Sequence, residues 1–135
     1  MSTEKIVIAM TLLAMVALPV VVVAQNEMPK YDPKTEVTIN GTVTEVKEIA
    51  GPKGKTDIHL MVKSGENIIE VCLCPMAFLK EFEVTFKKGD QLVITGSKLK
   101  MGDQEVVLAR EIEQGDNKIV MRDKEGAPAW TWLTK

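Results

Sequence analysis

The sequence predicts an all-β domain, a closed barrel of five or six strands with one short helix between the third and fourth. Three observations predict it. Apolar residues recur at every second position through several short stretches, and clusters of Gly, Pro, Asn and Asp separate those stretches. A single stretch, Met76 to Phe82, follows helical spacing instead.

Val37, Ile39, Gly41, Val43 and Val46 form the first strand, and the break in their spacing near the end predicts a kink or bulge. Ala50 to Lys55 is a loop by composition. Ile58, Leu60 and Val62 then alternate with Asp57, His59 and Met61 as strand two. After the turn Ser64 to Asn67, Ile69, Val71 and Leu73 alternate with Glu70, Cys72 and Cys74 as strand three, so the two form a hairpin. Pro75 has no amide donor and ends that ladder, which leaves Met76 to Phe82 for the helix. Gln91 to Ser97 is strand four, Glu105 to Ile112 strand five and Asn117 to Arg122 a short sixth. Strand, strand, strand, helix, strand, strand is the order of the OB-type Greek-key barrel, in which the helix plugs one end. Phe78, Phe82 and Phe86 are expected in the core. Trp130 and Trp132 divide evenly between barrel packing and a partner surface.

Four regions follow from the 135 residues: 1–24 a signal peptide or membrane anchor, 25–34 a linker, 35–122 the barrel and 123–135 a tail. Ile6 to Ala24 is an uncharged 19-residue run, preceded by Lys5 and ending in small residues before Gln25, which suits a cleaved export signal. As an uncleaved helix it would span ~28 Å, near the hydrocarbon thickness of a bilayer, so residues 6–24 are a membrane contact if retained. Either way the remainder is expected in a periplasmic or exported location.

Loss of the leader removes one lysine and one glutamate, so the net charge of −2 is unchanged. Nucleic-acid binders rely on a cationic surplus to displace phosphate counterions, and this chain has none. Single-stranded nucleic acid enters only by analogy with the fold. Cys72 and Cys74 lie two residues apart on a strand, ~6.5 Å between Cα atoms and poorly placed for a mutual disulfide. Free or ligated thiols are expected.

Pairing the hairpin about Gly65-Glu66 places Met61 opposite Glu70, His59 opposite Cys72 and Asp57 opposite Cys74, with Leu60–Val71 and Val62–Ile69 on the core face. On this reading His59 and both thiols share the outward face, within reach of one ion. Imidazole, thiolate and thioether suit Cu(I) or Zn(II), so His59, Cys72, Cys74, Met61 and Met76 are candidate ligands for copper, zinc or haem iron. The bland alternative is that these residues cover apolar surface beneath the Trp130 segment. The run Cys72-Leu73-Cys74-Pro75-Met76 lacks the C-x-x-C-H spacing of covalent haem attachment. With one histidine, no Ser-His-Asp set and no phosphate loop, the chain is read as no enzyme.

Tyr31-Asp32-Pro33, Glu36 to Val43, His59-Leu60, Leu73, Pro75, Phe78-Leu79, Lys88-Gly89-Asp90, Thr95-Gly96-Ser97, Ala109-Arg110-Glu111, and Arg122-Asp123 with Trp130 together resemble a family of small exported bacterial OB-fold proteins. Some of that family carry a DNA-binding label, and related modules look similar to parts of magnetosome and multihaem electron-transfer systems. The resemblance implies a histidine at the position of Cys72 and a glycine at that of Cys74. This sequence departs at both, and a cysteine for a histidine opposite His59 exchanges one metal ligand for another. The function expected is a binding or accessory module that docks on a redox or envelope complex through a protein partner. The alternative is soft-metal or haem association.

Overall fold

The computed structural model describes residues 29–51 and 54–131. The leader, read as a signal or anchor, and Trp132 lie outside the described residues. Among those described, no helix is long and apolar enough to cross a membrane.

The elements follow the predicted order. A 3-10 turn, Pro33–Thr35, leads into β1 (Glu36–Ala50), β2 (Thr56–Ser64), β3 (Asn67–Pro75), α1 (Met76–Glu81), β4 (Gln91–Met101), β5 (Gln104–Gln114) and β6 (Asn117–Val120). Strands β4 and β5 each run further than their alternation indicated. The sixth strand ends at Val120, and Arg122 makes only an isolated bridge to Pro128. Phe82 caps α1 rather than extending it.

At fifteen residues, β1 is long enough to serve two partners: Glu36 to Thr42 pair with β4, and Thr42 to Ala50 pair with β2. The bulge foreseen near its end lies between Val43 and Glu45, where the strand turns from one partner to the other. Antiparallel pairing continues β2 to β3, β4 to β5 and β5 to β6. A short parallel contact, Glu70 to Cys72 against Val106 to Leu108, joins β3 to β5 and closes the first five strands into a ring. Strand β6 hangs from β5 as the edge.

Inside the ring Val43, Leu60, Val62, Val71, Leu73, Ile94, Val107 and Ile112 are at most 2% exposed, and Phe78 and Leu79 of α1 join the same core. Each such aliphatic side chain contributes ~1.5–3 kcal/mol by leaving water. A second, smaller core lies outside the ring, where Tyr31 covers Cys72, Val106 and Leu108. The packed body therefore starts at Tyr31, ahead of the residue-35 start read from sequence. Gly126, at φ +98°, lies flat against the Tyr31 ring, where a Cβ would have no room. Phe82, expected in the core, is 57% exposed.

Candidate functional site

The hairpin brings together His59 and Cys72 as the alternation required. Leu60 pairs with Val71, Met61 with Glu70 and Val62 with Ile69. Beyond His59 the register shifts: Ile58 pairs with Cys74 and Asp57 with Pro75, so Leu73 is an extra residue on β3. The bulge corrects two expectations. Asp57 does not face Cys74, and Cys74 joins Ile58 in the main core instead of sharing a face with Cys72.

The outward placement is corrected as well. His59 is 5% exposed, Cys72 4% and Cys74 4%. The reason lies on β5, whose run Val106-Val107-Leu108-Ala109 is buried on both faces. Val107 and Ala109 join the inner core, while Val106 and Leu108 extend an apolar floor beside Cys72 that Tyr31 covers. An uninterrupted apolar run is the signature of a doubly buried strand and was the available signal for this second core.

The remaining proposed ligands are the two methionines. Met61 is half-buried opposite Glu70, and Met76 opens α1 and packs against the main core. Among the described residues no three His, Cys, Asp or Glu side chains are arranged to hold a metal ion.

Two polar residues missing from the candidate set complete the cluster. Glu70 Oε2 lies 2.8 Å from His59 Nδ1, and Gln104 Nε2 donates to Glu70 Oε1 at 2.9 Å. A carboxylate can only accept, so His59 Nδ1 carries a proton. Burial alone raises the Glu70 carboxyl. The hydrogen bond and charge of His59, aided by Lys47 and Gln104, outweigh that and hold it below the usual carboxylate range. Cys72 Sγ lies 3.7 Å from the same nitrogen.

Burial, reinforced by the charges of Glu70 and Asp57, pushes the Cys72 thiol up to about 12. The Cys74 thiol reaches about 12 chiefly through burial. Neither is a ready nucleophile, because the thiolate is the reacting species. The geometry also differs from a Cys-His-acid relay, in which acid and nucleophile use opposite ring nitrogens. Here Glu70 and Cys72 converge on one.

Arg122 lies between the two rings beside this cluster, its Cζ 4.9 Å from the Trp130 ring centroid and 5.9 Å from that of Tyr31, with Nη1 donating to Gly126 O at 2.9 Å. Tyr31 Oη donates to Glu36 Oε2 at 2.5 Å, and Arg110 Nε donates to the same oxygen at 2.6 Å. Tyr31, which covers Cys72, is thus held by residues from both ends of the domain.

Residues 35–119, from the foot of β1 to Ile119 in β6, match the MamS/MamX magnetosome protein family. The chain belongs to that family. No curated protein matches it. For this MamS/MamX member the matched span takes in the whole ring, α1 and the His59–Glu70–Cys72 cluster. Tyr31, which covers Cys72, and Arg122 and Gly126, which pack on Tyr31, lie outside it.

Proposed function

We propose that this chain is an exported, non-catalytic accessory module of a bacterial envelope complex, carried on an OB-type Greek-key barrel. Membership of the MamS/MamX magnetosome protein family carries the reading. The closed ring with a helix between β3 and β4 supports the barrel type. Thiols held near 12 by burial, Cys72 beneath Tyr31 and Cys74 in the main core, support a structural role for the polar cluster over a catalytic one. The test is to express the tagged full chain in a magnetosome-forming host and fractionate the cells. Co-purification with magnetosome membranes, together with a protein that survives a salt wash, is the expected result. Recovery only from unrelated fractions overturns it.

One distance favours a second reading, a soft-metal site at His59 and Cys72. Ligands at zinc–nitrogen and zinc–sulfur bond lengths on a tetrahedral ion stand ~3.6 Å apart, and Nδ1 and Sγ are 3.7 Å apart. The ion would have to displace both the Nδ1 proton and the thiol proton. Elemental analysis and thiol titration of the anaerobically purified chain decide between the readings. The accessory-module reading expects little copper, zinc or iron, and both thiols slow in the native state but fully reactive once unfolded. Stoichiometric metal that is lost in Cys72→Ser establishes the second.

A further inference from the structure

A groove of about 600 Å³ runs between β6 and the segment after α1, floored by Phe78, Phe86 and Ile112. Its rims carry two of the exposed large apolar side chains, Phe82 at 57% and Val120 at 48%. One wall is a strand edge. Ladder geometry fixes which backbone groups face it: Gln114 pairs with Asn117 across a two-residue turn, and Met121 N–H donates to Arg110 O at 2.7 Å. Bonded pairs therefore fall at 114/117 and 112/119, and the Met121 N–H keeps the same alternation, while the Met121 carbonyl accepts from Ala129 N–H at 2.9 Å. Lys118 and Val120, in the intervening pairs, turn their N–H and C=O groups away from β5. Strand β6 is the end of the sheet, so among the described residues no strand meets them.

The opposite wall carries a backbone outlier. Glu83 sits at φ +56°, the one positive φ outside glycine among the described residues. It occupies the position after the helix cap, with its N–H donating to Lys80 O at 3.1 Å and Val84 N–H to Leu79 O at 2.9 Å. Glycine is the usual occupant there, because a Cβ is strained in the left-handed region. The strained residue brings a carboxylate to the groove. Lys118 opposite is already tied to Glu111 at 3.1 Å, whereas Glu83 has no ion pair among the described residues. The groove's uncommitted charge is negative.

We propose that this groove takes an extended segment of a partner protein as a seventh strand on β6, with apolar side chains against Phe82 and Val120 and a lysine or arginine against Glu83. Strand addition of this kind draws affinity from the main chain and specificity from alternate side chains. The partner itself rests on the accessory-module reading. A failed peptide titration overturns the groove alone, while absence from the magnetosome fraction overturns that reading.

The probe is a short synthetic peptide alternating valine and threonine with one lysine, titrated into the full chain while backbone amide shifts are followed. Shifts centred on Lys118, Val120 and residues 82–86 are expected. Exchanging the probe's lysine for glutamate should weaken binding roughly tenfold, since like charges then meet. Glu83→Gly should weaken lysine-peptide binding while raising the melting temperature, a combination that a merely structural role for Glu83 does not produce. Val120→Pro removes an outward donor without touching the β5 ladder and should abolish binding. Absence of binding, equal binding of both peptides by wild type and Glu83→Gly, or self-association of the chain through β6 overturns the proposal.

Discussion

Gly96→Ala is expected to cost about 3 kcal/mol, the upper end of what overpacking a filled core exacts. Gly96 lies buried in β4 where the register against β5 shifts, between the Thr95–Glu111 and Gly96–Ala109 pairs. A Cβ there would overlap the Leu108 carbonyl oxygen and come within 2.9 Å of Val107 Cγ1. The first obstacle is backbone of the partner strand. It cannot withdraw without opening the β4–β5 ladder or the β3–β5 contact that closes the ring. For a domain of this size such a loss lowers the melting temperature by roughly 12–24 °C and removes a large part of a total stability of about 5–15 kcal/mol. Thermal and urea unfolding measure it, and a variant melting within a few degrees of wild type contradicts the close approach.

That contact is also an instance of what the sequence could not disclose. Alternation of Leu92, Ile94 and Gly96 marks a strand with one face inward, and the ladder confirms it. It carries no information that the partner backbone passes against Gly96, because an approach of that kind is a property of two distant segments. The hairpin was legible for the opposite reason. Its register depends on local alternation and turn length, and the pairs from Val62–Ile69 to His59–Cys72 follow.

Legibility stopped at Leu73. Leu73 and Cys74 are both small enough and apolar enough for the interior, so inserting one residue into the ladder leaves no polar side chain stranded inside and no trace in the pattern. The shift nonetheless separates the two thiols onto different cores. A cover by the Trp130 segment is the alternative reading of the sequence, but that Tyr31 would seal Cys72, with Gly126 flat against its ring, is a meeting of distant segments that no local pattern records. The doubly apolar run 106–109 was a further sign of a second buried face.

Breaking the His59–Glu70 pair is the other large effect expected. Their side chains are 6% and 10% exposed, and Nδ1 is 2.8 Å from Oε2, so Glu70→Ala leaves a buried imidazole N–H without its acceptor. Removing one partner of a buried pair costs about 3 kcal/mol or more, largely through the polar group left behind. Glu70→Gln keeps an acceptor of similar shape and is expected to cost less. The two variants also differ from wild type in acid. Because Glu70 is held below its usual value, the native state binds fewer protons than the unfolded state as pH falls past that value. The pair's contribution is therefore complete above the ordinary glutamate range and is lost as pH drops through the lowered native value. Glu36, held down first by its hydrogen bond to Arg110 and then by that to Tyr31, has the same sign. Urea titrations at stepped pH should show wild type losing stability more steeply than Glu70→Gln below about pH 4.5, the remaining slope coming from Glu36 and other carboxylates. Identical acid slopes in the two proteins would mean that His59 does not hold the Glu70 proton off, and the charged character assigned to this buried contact would have to be withdrawn.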